Sequence, residues 1–324
     1  MAEKRPPEKR TLTIRWPFHV LSPAEAELPA RVDVAAILRK VRRLRFRVRR
    51  GVVADLVGAY AGARAGSGLT FADLRPYEPG DDARHLDWNV TARQDRPYVR
   101  TFIEERALTV WLLVDVSASL RFGPEGQTKA DLAVQAAALL ATAAVRAGDR
   151  VGLALVSDRV EAEIPPSSGS GHLARLIRAL VATPSRSRRT ALEVGLRGLA
   201  RSRRRALLVV FSDFLTVEGP STWKVAARRH DVIAVRVVEP REQAIPPAGL
   251  VDLADAESGA KRTVDFGSKK VRAAYALAAE GRDREFRRWC ATSGVLGVDL
   301  PTTSDPISPL IRFFADRGRK RNLP

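Results

Sequence analysis

The sequence predicts an α/β fold: a doubly wound, mostly parallel sheet with helices on both faces, preceded by an N-terminal helical and loop module and carrying a small β extension. Three observations predict it. The run Leu108–Val114 is branched and aromatic with little polar interruption, as a strand buried on both faces is, and it ends in Asp115. A second run, Ala206–Phe211, ends in Ser212 and Asp213. Around them strand-like and helix-like stretches alternate, the order of a parallel sheet whose crossovers are helices.

Length and composition bound the rest. A chain of 324 residues has room for one α/β domain and a smaller module. The expected divisions are an arm at 1–30, a helix and signature-loop module at 31–107, and the main domain at 108–324 with a β-hairpin inserted near 245–265. No stretch approaches the roughly 20 apolar residues of a membrane span. The longest candidate, Ala130–Val145, is broken by Asp131, Gln135 and Thr142 and reads as a buried helix. Glu3, Lys4, Arg5, Pro6 and Pro7 exclude an apolar signal core at the start, so a cytoplasmic location is expected, with peripheral membrane association left open. Cys290 is the single cysteine, which excludes an intramolecular disulfide and a Cys-based zinc cluster.

In chain order, residues 1–30 are polar and punctuated by proline, and read as a loosely ordered arm. Val32, Val34, Ile37, Leu38, Val41 and Leu44 then mark an amphipathic helix with a basic face. Gly51–Gly68 is rich in Gly and Ala, shows little periodicity and ends in a turn signal. Strands are expected at Val110–Val114, Val151–Val156, Arg159–Ile164, Ala206–Phe211 and Val232–Val238. Helices are expected at Lys129–Ala147, Gly171–Val181, Ala191–Ser202 and Thr222–Arg229. Ser157 and Asp158 leave so little room between their flanking strands that an antiparallel hairpin is expected, with Asp158 as a turn residue. Beyond Pro240, Leu250–Leu253 and Lys261–Val264 can pair as a hairpin. Val271–Cys290 reads as a long basic helix, Val295–Leu300 as a last strand, Ile307–Ala315 as a closing helix, and Arg317–Arg321 as a solvated cation run.

The chemistry gathers where the apolar runs end. Ligands of open α/β sheets sit beyond the carboxyl ends of the strands. Asp115, Ser117 and Ser119 place one carboxylate and two hydroxyls at alternate positions there, oxygen donors suited to a hard divalent cation such as Mg²⁺. That loop supplies about three of some six ligands, so others must come from elsewhere. Asp213 ends a second strand and Thr190 opens the helix feeding it. In a 3-2-1-4-5 strand order the first and fourth strands are neighbours, and Asp115 and Asp213 flank the crevice between them. The same residues also serve ordinary roles. Asp and Ser after a strand make turns and caps, and Thr190 with Glu193 fits a capping box.

The spacing D-x-S-x-S, a distant Thr and a strand-end Asp resembles the metal-ion-dependent adhesion site of von Willebrand factor type A domains, over roughly residues 108–240. The resemblance implies a type A-like fold and a cation held by Asp115, Ser117, Ser119, Thr190 and Asp213. It also implies an open coordination position for an acidic group of a partner. A second resemblance lies upstream. The string with Tyr77, Pro79, Gly80, Asp81, Arg84, Asp87, Trp88 and Arg93, followed by Phe102–Arg106, looks like the bacterial domain-of-unknown-function family 58. That family implies a type A-like domain associated with MoxR-type AAA+ ATPases in complex assembly or maturation. The signature residues themselves read in two ways: paired charges that pin a loop with Trp88 as its apolar anchor, or a partner-facing surface.

The expectation is therefore a non-enzymatic, metal-dependent protein-binding module that works with a MoxR-type ATPase or its client and takes no small-molecule substrate. Neither a phosphate-cradling G-x-x-x-x-G-K-[ST], nor H-E-x-x-H, nor a G-x-S-x-G elbow occurs. His19, His85, His172 and His230 lack metal-ligand spacing. Two alternatives stay open. A net charge of +18, with Arg-rich blocks at 39–50, 186–189, 201–205 and 284–288, suits nucleic acid as well as an acidic protein. Asp115 and Asp213 could also position a metal-bound nucleophile for phosphoester hydrolysis.

Overall fold

The computed structural model describes residues 13–15, 18–21, 50–63, 70–78, 81, 86–94, 96–103, 107–123, 128–183, 187–200, 204–215, 220–255 and 260–321. The basic helix expected within 31–44 lies outside these residues, as do Pro79, Gly80, Arg84 and His85 of the signature.

Strands β1 (Thr13–Arg15) and β2 (Phe18–Leu21) pair antiparallel, within the segment read from sequence as an arm. Helix α1 spans Arg50–Ala63. Strand β3 (Thr70–Pro76) pairs antiparallel with β4 (Tyr98–Ile103), and α2 (Trp88–Gln94) lies in their connection. The main domain follows as β5 (Thr109–Asp115), α3 (Lys129–Arg146), β6 (Arg150–Val156), β7 (Val160–Ser167), α4 (Ser170–Ala182), α5 (Leu192–Ala200), β8 (Leu207–Ser212), α6 (Pro220–Arg229) and β9 (Asp231–Val238). The chain continues through β10 (Leu250–Asp255), β11 (Lys261–Asp265), α7 (Lys269–Ser293), β12 (Leu296–Pro301) and α8 (Ile307–Arg321).

The main sheet has the order β12-β9-β8-β5-β6-β7. Every neighbour pair is parallel except β6 and β7, whose hairpin turns through Ser157–Arg159 as the short spacing predicted. This is the doubly wound, mostly parallel arrangement that the sequence predicted. β5 and β8, the first and fourth strands, are neighbours. Alternation along the strands shows why both faces need helices. Val110, Leu112, Val114, Val209 and Phe211 pack on one side with α3, α1 and α8. Trp111, Leu113, Leu208 and Val210 pack on the other with α5, α6 and α7. Each such buried side chain contributes on the order of 2 kcal/mol of transfer free energy. Gly195 on α5 lets that helix close on the sheet, since a Cβ there would lie 2.6 Å from Val156 and 2.9 Å from Leu113.

Two sequence readings are corrected. The Gly- and Ala-rich stretch after Arg50 is the helix α1. Leu56 and Tyr60, one turn apart, are its buried face, while Gly58 looks into open space. Tyr60 stacks edge-on against Phe314 of α8 at 5.5 Å and donates its hydroxyl to Asp149 Oδ2 at 2.8 Å. The basic C-terminal run is also helical: α8 extends to Arg321, and Arg317 is ion-paired with Asp231 rather than solvated.

β10 and β11 form the expected hairpin, and β10 also pairs with β2, giving a small four-stranded sheet, β1-β2-β10-β11. Cys290 is buried on α7, and burial pushes its thiol up to about 11. No helix among the described residues is long and apolar enough to cross a membrane.

Candidate metal centre at the carboxyl rim of the sheet

Asp115 is the last residue of β5 and is 1% exposed. Its Oδ1 accepts the Ser117 amide at 2.8 Å and its Oδ2 accepts the Ser212 hydroxyl at 2.7 Å. Its pKa is pushed up to about 7, first by burial and then by the negative charge of Asp213; hydrogen bonds from Ser212 and Ser117 act in the opposite direction. Asp115 ends β5 and Asp213 follows the neighbouring β8, near enough for the charge of one to act on the other.

Ser117 and Ser119 stand on the short 3₁₀ turn after β5, both buried, with their hydroxyl oxygens 3.1 Å apart. Adjacent oxygens around a hard octahedral cation with bonds of about 2.0–2.1 Å lie about 3 Å apart. The two hydroxyls thus have the spacing of neighbouring ligands. Thr190 is half-buried in the loop before α5. That loop is tied to the others through backbone: the Ala118 amide donates to the Arg188 carbonyl at 3.4 Å, and the Ala191 amide to the Ser157 carbonyl at 2.8 Å. The three loops meet at one rim.

Asp213 follows β8, with Oδ1 accepting the Leu215 amide at 3.4 Å. Its neighbour Phe214 has φ 48°, a left-handed backbone that costs a non-glycine residue on the order of 1 kcal/mol. Phe214 is held there by Trp223, Phe286 and Trp289, with ring centroids 6.0, 5.3 and 5.6 Å away. This aromatic clamp packs the residue next to Asp213, whose own carboxylate is held by Lys129 and the Leu215 amide.

Sequence reasoning missed three members of the site. Ser212 is the donor to Asp115. Lys129, the first residue of α3, is 0% exposed and donates to Asp213 Oδ2 at 2.8 Å and to Glu242 Oε1 at 2.7 Å. Burial alone would lower the Lys129 pKa, yet the charges of Asp213 and Glu242 hold it above its ordinary value. The only sequence signal was a lysine at helical spacing with Leu132, Ala133, Ala136 and Leu140 on an otherwise apolar face.

The charges do not balance. Asp115 and Asp213 set against Lys129 leave one negative charge when both acids are ionised, in a largely water-free setting. Buried charge of that kind is costly unless protonated or met by a cation. Hard carboxylate and hydroxyl oxygens fit a divalent cation such as Mg²⁺. Among the described residues no group of three or more His, Cys, Asp or Glu side chains is placed to hold a metal ion, so the hydroxyls would have to complete such a shell. Outside the carboxylates the rim is positive: Arg121 is half-buried, and burial followed by the charge of Arg188 lowers its pKa.

The upstream signature forms the connection between β3 and β4. Tyr77 donates its amide to the Pro97 carbonyl at 2.8 Å. Asp81 accepts Arg75 at 2.6 Å and the Glu78 amide at 2.9 Å. Asp87 is buried and takes the Asn89 and Val90 amides at the start of α2. Trp88 is 70% exposed, so it is not the apolar anchor read from sequence; with Asp87 in the capping position, the first side chain of α2 faces water. Arg93 is exposed as well.

Comparison with known proteins gives the family. The family described as "Protein of unknown function DUF58" matches residues 73–285. An uncharacterized protein of Mycobacterium tuberculosis (strain H37Rv) is 35% identical over 295 residues, covering 89% of this chain and 92% of its own. One of Mycobacterium bovis matches with the same figures. One of Mycobacterium avium is 33% identical over 169 residues, covering 48% of this chain and 94% of its own. Among solved structures, the conserved hypothetical protein BatB from Bacteroides thetaiotaomicron aligns with TM-score 0.43 and 15% identity over 66% of this chain and 100% of that one. The VWA domain of SpRpn10 aligns with TM-score 0.36 and 11% identity over 64% of this chain and 95% of its own. The family match spans most of the chain, and the tuberculosis relative is covered over nearly its whole length; the chain belongs to the DUF58 family.

Proposed function

We propose that this chain is a non-enzymatic, metal-dependent protein-binding module, a scaffold or co-chaperone that works with a MoxR-type AAA+ ATPase in complex assembly or maturation. One observation carries the reading: the buried Asp115 and Asp213 carboxylates, with Ser117 and Ser119 beside them, concentrate more negative charge at the sheet's rim than Lys129 neutralises. Asp115, Ser117, Ser119, Thr190 and Asp213 would hold Mg²⁺, and the bound ion would supply an open coordination position for an acidic side chain of the partner. Arg121 and Arg188 beside the rim would favour the approach of such an acid.

The test is binding of the chain to the MoxR-type ATPase of its own organism, in Mg²⁺ and in EDTA. Binding should require Mg²⁺ and be lost in Asp115→Ala, with the fold retained by circular dichroism. Equal binding by Asp115→Ala and wild type would show that metal bridging is wrong. The net charge of +18 supports nucleic-acid binding as a second reading. In that case affinity for duplex DNA would fall steeply with salt and would not respond to Asp115→Ala.

A further inference from the structure

The metal reading leaves Lys129 without a part, although it is the most deeply buried charge at the rim. Its ammonium lies between two acids, 2.8 Å from Asp213 Oδ2 and 2.7 Å from Glu242 Oε1. The Asp213 side chain is 5% exposed and that of Glu242 is 12% exposed. Glu242 ends the turn Pro240–Glu242 after β9 and lines a cleft with Asp213, Phe214, Arg236, Arg282 and Asp283. Among the described residues Asp115 is hydrogen-bonded to Ser117 and Ser212, not to this lysine.

We propose that Lys129 is an internal counter-cation that competes with the bound metal for Asp213, with Glu242 as the seat to which its ammonium retires, so that this lysine sets the site's affinity for divalent cations. The inference rests on the metal reading above. Three features support it. One oxygen of Asp213 already carries a charge-assisted hydrogen bond from Nζ, so a cation approaching that carboxylate meets a positive charge a few ångströms away. Glu242 gives the ammonium a second acid, so Lys129 can yield Asp213 without becoming a buried unpaired charge. Because the cation is tethered to α3, it also keeps Asp213 compensated whenever metal is scarce.

The two ends of this bridge should move cation affinity in opposite directions. Isothermal titration of the full chain with Mg²⁺, and with Mn²⁺ as a second probe, would measure it. Lys129→Met removes the competing charge and should tighten binding about tenfold or more, the size expected for one nearby unit charge in a partly screened interior. Glu242→Gln leaves the ammonium only Asp213 to rest on and should weaken binding severalfold. A merely structural bridge would shift both variants the same way or neither, and either result overturns the proposal. If Lys129→Met does not fold, Glu242→Gln decides alone, and unchanged or tighter binding overturns it. Wild-type binding that survives Asp115→Ala refutes the metal reading itself. Binding lost in Asp115→Ala but not moved oppositely in the two variants refutes only the role of Lys129. No binding by either wild type or Lys129→Met overturns both.

Discussion

The Ser212 hydroxyl donates to Asp115 Oδ2 at 2.7 Å from the strand next to that of its acceptor, and the same oxygen accepts the Phe214 amide at 3.3 Å. One buried hydroxyl thus links the end of β5 to the segment that carries Asp213. Ser212→Ala would leave a buried carboxylate oxygen and a backbone amide without this partner. It should lower stability by about 1–3 kcal/mol in urea denaturation. Ser212→Thr, which keeps the hydroxyl, should recover part of that loss.

Asp115 makes the metal-free fold pH-sensitive in a defined direction. Its carboxyl has a folded pKa of about 7 against an ordinary value of 3.8, so over that window the folded state holds more proton than the unfolded chain. The contribution of Asp115 to the stability of the metal-free protein therefore falls as pH rises from about 4 to about 7, by up to a few kcal/mol, and then levels off. Asp115→Asn removes the titration. In EDTA at pH 8 it should be more stable than wild type, with the advantage shrinking toward pH 4. Denaturant midpoints across pH check this, and a wild type that gains stability between pH 4 and 7 while Asp115→Asn does not would contradict it.

Phe214 reverses a usual order of substitutions. Emptying its place among Trp223, Phe286 and Trp289 should cost about 3–5 kcal/mol in Phe214→Ala. Glycine removes one more carbon but tolerates φ 48° freely, so Phe214→Gly should be as stable as Phe214→Ala or more so, by up to about 1 kcal/mol. Urea denaturation of the two variants decides it.

Tyr60 fastens α1 to the main domain. Tyr60→Phe keeps the edge-on contact with Phe314 and loses the hydrogen bond to Asp149, which also accepts the Leu108 amide at 2.9 Å. The expected loss is about 1.5–3 kcal/mol, with faster amide exchange along Arg50–Ala63 than in wild type. Unchanged exchange there would mean that packing alone holds the helix.

The sheet was legible because its strands are nearly pure apolar runs and because β5 stops at an acid and β8 one residue before one. Asp115, Ser117, Ser119 and Asp213 could be found from that pattern. Lys129 could not, because a buried lysine and a surface lysine look alike until partners 84 and 113 residues away are in place. Arg317 escaped for the same reason, since Asp231 lies 86 residues upstream. The helix α1 was hidden by Gly51 and Gly58, which lower helix propensity. Tertiary packing of Leu56 and Tyr60 outweighed that preference. Trp88 misled in the other direction: an aromatic set among charges suggested burial, while the capping role of Asp87 left it facing solvent.

The depth of Cys290 has a practical side. With its sulfur buried and its proton retained to about pH 11, the native thiol should ignore maleimide reagents near neutrality. A cysteine installed at position 88 would then take a single fluorophore without prior thiol stripping, giving a reporter on the signature loop whose anisotropy should rise as a large partner docks.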